Sequence, residues 1–209
     1  MVSDSKTVNI ALLGLGGQGI ITLAKLLANA SIALNKEVCY NEIHGLSQRG
    51  GSVQSFVRLN ESHTPLFASN DVDFVVGLEK LETLRYLYTI KNYKTIVVML
   101  DYYERRNTAY FGLEVFPSEE EIDKEIRKRA KKLYLIDRDS FKKQFKGNFV
   151  PYNVGMFSAI TTFDMIGIPQ DVAEKTVSKL LGRNMLLSRI NNKAFKEGKK
   201  WLKEVNLTK

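Results

Sequence analysis

One cysteine, Cys39, and two histidines, His44 and His63, are all that this 209-residue chain offers to disulfide, cluster or soft-metal chemistry. A single thiol excludes an intramolecular disulfide and falls short of the four thiolates of an ordinary iron–sulfur cluster, so any electron-transfer cluster must sit elsewhere. The histidines stand far apart and show no metal-type spacing with Cys39, and no bound metal is expected. No apolar run is long enough to cross a bilayer, and residues 1–7 lack the apolar core of a secretory signal. A soluble, cytoplasmic protein with no membrane attachment is the expectation. No serine or cysteine lies in a nucleophile elbow, and no close carboxylate pair stands on an otherwise apolar element. The chain does not read as a catalyst sufficient in itself.

With 44% hydrophobic residues, the sequence can bury a substantial core and reads as a single domain over residues 1–209, without repeats or low-complexity linkers. Its net charge of +8 points to anionic partners. The basic residues concentrate in Lys124–Lys146 and Lys193–Lys203, mixed with apolar positions at helical spacing, which is the pattern of a solvated face. No RNA-recognition or zinc-finger signature accompanies them, and nucleic acid is not an expected partner.

From Val8 to about Ile136, apolar strand-like runs alternate with helical periods, the signature of an α/β fold. Strands are expected at Val8–Leu13, Glu37–Asn41, Ser52–Leu59, Phe74–Gly77, Thr95–Leu100, Gly112–Phe116 and Leu133–Asp137. Thr95–Leu100 is apolar almost throughout, as a strand covered on both faces must be. Ser52–Leu59 alternates instead, placing it at an edge or in antiparallel pairing. Helices are expected at Gln18–Leu34, with Ile20, Leu23, Leu27 and Ala30 on one face, and from Pro117-Ser118 to about Lys131, where Ser118 and Glu121 form a capping-box pattern. Val154–Ile166, Pro169–Leu181 and Leu187–Val205 read as a helical closing segment. The sum is a three-layer, Rossmann-like fold with a mixed, mostly parallel sheet and a C-terminal helical segment.

Two glycine-rich segments stand out in this frame. Gly14, Gly16, Gly17, Gln18 and Gly19 follow the first strand and open the first helix, an arrangement that presents free N–H groups to an anion and makes these five the candidate cofactor-binding residues. The second segment, with His44, Ser47, Gln48, Arg49, Gly50 and Gly51, is expected near the same sheet end. Its glycine-flanked arginine suits a phosphate, a carboxylate or an acidic loop of a partner. The first segment also fits G-x-G-x-x-G, so a free-standing Rossmann enzyme binding NAD(P) or FAD is the alternative, with Glu42 as its ribose ligand. No lysine follows Gly19 directly, which disfavours a P-loop.

The order of G-x-G-G-Q-G, then H-G-x-S-Q-R-G-G, then Asp71-Val72-Asp73 leading to Gly77-Leu78-Glu79-Lys80-Leu81-Glu82, and finally Asn191 to Gly198, resembles the gamma module of 2-oxoacid:ferredoxin oxidoreductases over nearly the whole chain. Within that family it is most similar to the free-standing beta subunit of the indolepyruvate type, with pyruvate, 2-oxoisovalerate and 2-oxoglutarate gamma subunits as near relatives. The resemblance implies a non-catalytic-alone subunit of a complex that converts a 2-oxoacid and coenzyme A to an acyl-CoA and CO2 while reducing ferredoxin. It also implies that thiamine diphosphate and the iron–sulfur clusters belong to a large partner subunit. Consistently, the sequence lacks the G-D-G opening of a thiamine diphosphate motif. The glycine loops would face that partner or coenzyme A, and the resemblance assigns no catalytic residue to this chain.

Overall fold

The computed structural model describes residues 6–44, 50–61, 63–90, 94–104, 116–145, 151–182 and 184–207. A seven-stranded sheet forms its centre, built from β1 (Val8–Leu15), β2 (Val38–His44), β3 (Ser52–Leu59), β4 (Phe74–Gly77), β5 (Ile96–Leu100), β6 (Lys132–Ile136) and β7 (Leu202–Val205), in the order β2-β3-β1-β4-β5-β6-β7. Strands β1, β4, β5 and β6 pair in parallel, whereas β3 runs antiparallel between β1 and β2, and β7 antiparallel to β6. The central strands β1 and β4 are buried at every position because helices cover both faces.

One face carries α1 (Ile20–Ala33), α4 (Arg138–Gln144), α5 (Tyr152–Ile160), α6 (Gln170–Leu181) and α7 (Met185–Gly198), packed over Ile10, Leu12, Phe74, Val76 and Val98. The other carries α2 (Lys80–Leu87) and α3 (Glu119–Arg129), over Ala11, Leu13, Val75, Val97 and Met99. The alternating residues of β1 thus divide between two cores, as the two-residue period of a strand requires. Ile20, Leu23, Leu27 and Ala30 form the buried stripe of α1 expected from their spacing.

Strand β3 is antiparallel but lies inside the sheet. Its alternation arises because Val53, Val57 and Leu59 face the thick helical layer, while Phe56 lies against Phe67 and Tyr86 on the thinner side. Helix α3 opens with the expected capping box: Ser118 Oγ accepts from Glu121 N–H, and the Glu121 carboxylate accepts from Ser118 N–H. The expected strand at Gly112–Phe116 lies outside the described residues except for Phe116, which is in no strand.

The closing segment departs from the sequence pattern at two points. The helix expected over Val154–Ile166 ends at Ile160, where the Thr161 and Thr162 hydroxyls donate to carbonyls of the preceding turn; a 3₁₀ turn (Asp164–Ile166) and Gly167 at φ +63° follow. The helix expected over Leu187–Val205 begins at Met185 and stops at Gly198. A β-carbon at Gly198 would overlap the Gly155 carbonyl, so α5 and α7 cross backbone to backbone there. After a short 3₁₀ turn the chain forms β7, which pairs with β6 and closes the sheet edge.

Candidate functional site

The first glycine loop lies at the carboxyl end of β1, and its turn is built by its own residues. Gln18 Oε1 accepts from Leu15 N–H at 2.7 Å, Gly17 adopts φ +97° and Gly19 adopts φ +85°. A β-carbon at Gly14 would lie 2.6 Å from Gln18 Oε1, one at Gly19 would fall on the Asn153 side chain, and one at Gly17 would meet nothing within 4 Å. Gly14 and Gly19 are therefore needed for packing, whereas Gly17 turns its bare face to open space.

The second loop meets the first directly. Gly16 N–H donates to the Gly51 carbonyl at 2.8 Å, and Gly50 N–H donates to the Gly16 carbonyl at 3.4 Å. His44 ends β2 opposite Val53 at the same sheet end. Ser47, Gln48 and Arg49 lie outside the described residues. A cavity of about 380 Å³ opens between the first loop, the start of α1 and β3, lined by Leu15, Gly16, Gly17, Gly19, Ile20, Ile21, Thr22 and Val53.

A second cleft, of about 200 Å³, lies on the other side of Gly17 and Gln18. It is lined from strand ends in turn: Leu78 after β4, Leu100, Tyr102 and Glu104 at and after β5, and Arg138 after β6, with Tyr152 at the start of α5. The connection leaving β1 passes through α1 to one face of the sheet, and that leaving β4 passes through α2 to the other. The cleft thus occupies the crevice where open α/β sheets bind ligands.

Two helices begin at this place. Gly19 is the N-cap of α1 and Pro151 that of α5; neither residue caps its helix with a side chain, and neither helix has an acidic residue in its first turn. Asn153 Nδ2 donates to the Gly19 carbonyl at 3.5 Å and joins the two starts. Both positive helix ends face the region of the loop. The Arg138 guanidinium lies 4.1 Å from the Tyr102 ring centroid, and the Tyr102 hydroxyl donates to the Glu104 carboxylate. Burial, reinforced by Glu104, raises the Tyr102 pKa, and burial likewise raises that of Tyr152. Both phenols are neutral near pH 7.

Behind the cleft wall, Lys80 is only 2% exposed, and its Nζ contacts Asp101 at 2.6 Å, Glu119 at 2.7 Å and Asp123 at 2.9 Å. Burial lowers the pKa of this ammonium, but the hydrogen bonds to the three carboxylates outweigh it and carry the value above that of an ordinary lysine. Among the described residues, these three carboxylates are the group close enough to share a metal ion, and the ammonium contacts all three of them. The neighbouring Glu79, 1% exposed, accepts from the N–H groups of Glu82 and Glu104; burial nevertheless raises its pKa.

The described ends of the two glycine segments meet at one end of the sheet, as expected, through Gly16 with Gly50 and Gly51, whereas Tyr102, Glu104, Arg138, Tyr152 and the buried Lys80 were not among the expected site residues. The available signal was positional, since Arg138 and Tyr102 each follow the carboxyl end of a parallel strand. The alternative Rossmann reading meets a geometric obstacle. Glu42 sits on β2, and β3 intervenes between β2 and β1, which places Glu42 two strand spacings, about 10 Å, from the strand that carries the loop. A dinucleotide site needs that carboxylate on the strand beside β1.

The model of the pyruvate ferredoxin/flavodoxin oxidoreductase family matches residues 9–201. This chain belongs to that family. It is 28% identical to indolepyruvate oxidoreductase subunit IorB of Archaeoglobus fulgidus over 183 residues, covering 85% of this chain and 90% of that one. It is likewise 28% identical to the subunit of that name in Pyrococcus horikoshii over 202 residues, covering 96% and 98%. Among solved structures, pyruvate oxidoreductase subunit PORC of Thermotoga maritima is similar with a TM-score of 0.68 at 18% identity, over 96% of this chain and 99% of that one. The 2-oxoglutarate:ferredoxin oxidoreductase of Magnetococcus marinus is similar with a TM-score of 0.66 at 20% identity, over 95% of this chain but 31% of the longer one. Those two likenesses establish the fold. Among the described residues, no helix is long and apolar enough to cross a membrane.

Proposed function

We propose that this chain is the small subunit of an indolepyruvate-type ferredoxin oxidoreductase, and that its glycine loop and strand-end cleft hold the polyanionic end of coenzyme A against the catalytic partner. The complex would convert the 2-oxoacid and coenzyme A to acyl-CoA and CO2 and pass two electrons to ferredoxin. Thiamine diphosphate and the iron–sulfur clusters would reside on the large subunit, for which the single Cys39 leaves no substitute here. The observation that carries the ligand assignment is the meeting of two uncapped helix starts beside Arg138 at the sheet's switch point. Gly17 supports it, because its open face lets a phosphate approach the backbone. The second loop, Ser47 to Gly51 with His44 at its root, would lie against the partner subunit, since its glycines at 50 and 51 are spliced to Gly16 at the rim of the same end of the sheet.

The function is tested by purifying the chain alone and with its large subunit, then following coenzyme A-dependent reduction of ferredoxin with indolepyruvate, pyruvate, 2-oxoisovalerate and 2-oxoglutarate. The complex should be active and most efficient with indolepyruvate, and the isolated chain inactive. Oxoacid oxidation by the chain alone, or stoichiometric flavin or NAD(P) in it, would refute the proposal. A complex whose best substrate is another oxoacid would refute the indolepyruvate assignment.

A further inference from the structure

We infer that Lys80, acting through Asp101, is a positioning residue for the ligand cleft: it fixes the wall from Asp101 to Glu104 and, through Tyr102, the placement of the Arg138 guanidinium. The inference rests on the proposed occupancy of that cleft by coenzyme A.

The wall is a short piece of chain leaving the carboxyl end of β5, with no secondary structure of its own to hold it. Three bonds tie it to the start of α2. Lys80 N–H donates to the Tyr102 carbonyl at 2.8 Å, Lys80 Nζ contacts Asp101 at 2.6 Å, and Glu104 N–H donates to Glu79 Oε1 at 3.2 Å. Tyr102 N–H closes a tight turn onto the Leu100 carbonyl at 2.8 Å. The Tyr102 ring then carries the Arg138 guanidinium on its face at 4.1 Å. A shift of the wall therefore moves the ring, and the cation that rests on it moves as well.

Lys80 also contacts Glu119 and Asp123 at the start of α3, outside the cleft lining. This division separates two roles. If Lys80 only staples α2 to α3, its contacts with Asp101 and Asp123 are equivalent. If it positions the wall, only the Asp101 contact bears on the ligand. Asp101 is 44% exposed and Asp123 30%, so the amide variants Asp101→Asn and Asp123→Asn keep their shape, can be hydrated, and leave Lys80 two other carboxylates. Both variants should fold, where Lys80→Met risks failing to.

The test uses the complex reconstituted with its large subunit and compares KM for coenzyme A, KM for the oxoacid and kcat, alongside the thermal unfolding of each variant chain. Asp101→Asn should raise the coenzyme A KM on the order of 5- to 10-fold with little change in kcat or in the oxoacid KM, the mark of lost binding that ground and transition states share. The two aspartate variants should lower Tm by similar amounts, while Asp123→Asn moves the coenzyme A KM by less than about twofold. Arg138→Gln should raise the coenzyme A KM at least as much as Asp101→Asn. Equal effects of the two aspartate variants on that KM, or none from Asp101→Asn when Arg138→Gln raises it, would overturn the positioning role while leaving the cleft assignment intact. No effect from Arg138→Gln would overturn both.

Discussion

Gly17 and Gly19 both have positive φ, yet substituting them should have different consequences. At Gly17 (φ +97°) an added methyl meets open space, so Gly17→Ala costs only the conformational penalty, about 1–2 kcal/mol for an L-residue in this region. At Gly19 (φ +85°) the same penalty applies, and the methyl also falls on the Asn153 side chain, with Cγ 3.1 Å away. Asn153 is 6% exposed, and its Oδ1 accepts from Val154 N–H at 2.8 Å, so it cannot turn aside freely. Overpacking of this kind adds about 1–3 kcal/mol. Gly19→Ala should therefore destabilise by about 2–5 kcal/mol in all, at roughly 2–4 °C of Tm per kcal/mol for a chain of this size. A double-mutant cycle with Asn153→Ala isolates the steric part, which should appear as a coupling of about 1–3 kcal/mol in favour of the double variant. Urea and thermal unfolding of the four proteins supply the energies. Equal losses at the two glycines, or a coupling indistinguishable from zero, would refute the assignment of Gly19 to packing and Gly17 to an open rim. In the reconstituted complex, Gly17→Ala should raise the coenzyme A KM out of proportion to its small loss of Tm.

Removing the capping oxygen by Ser118→Ala should cost about 1 kcal/mol near pH 7, measured by denaturant unfolding. Backbone and side-chain hydrogen bonds with Ser118 hold the Glu121 carboxyl below its usual value, and the Ser140 hydroxyl holds Asp137 down despite some burial. Carboxyls lowered in the folded state contribute stability that is complete above their unfolded pKa and is lost as pH falls through their folded values; acid unfolding of Ser118→Ala should accordingly show a shallower decline below about pH 4.5 than wild type. Gly198→Ala, with its β-carbon forced onto the Gly155 backbone, should destabilise by about 1–3 kcal/mol or prevent α7 from docking, read by thermal unfolding and proteolysis of the C-terminal segment. Arg49→Ala should leave the Tm of the free chain within experimental error while weakening assembly with the large subunit by about 2–5 kcal/mol, the loss typical of a buried interfacial charge. Unchanged assembly at limiting subunit concentration would make Arg49 a surface turn residue.

Much of the sheet was legible in the sequence because its information is local. Strands buried on both faces, such as Phe74–Gly77, have to be apolar at every position, and a helix buried on one side shows the spacing of Ile20, Leu23, Leu27 and Ala30. The capping box at Ser118 is likewise complete within four residues. Glycine loops following a strand announce where backbone is left bare, which is why both could be placed at one sheet end.

What only tertiary structure decided depends on residues distant in sequence. The amphipathic stretch after Gly198 suits a helix as well as a strand, and pairing with β6 selects the strand. The insertion of β3 between β1 and β2 is a matter of strand order, invisible in any window of sequence, and it is what removes Glu42 from the glycine loop. The cleft is assembled from the ends of separate strands, so Tyr102, Arg138 and Tyr152 acquire meaning only when the sheet brings them together. Nothing in the sequence around Lys80 sets it apart from the other cations of the chain. Its burial among Asp101, Glu119 and Asp123 follows from the packing of α2 against α3, because an ammonium leaves water only where carboxylates from other elements replace its hydration.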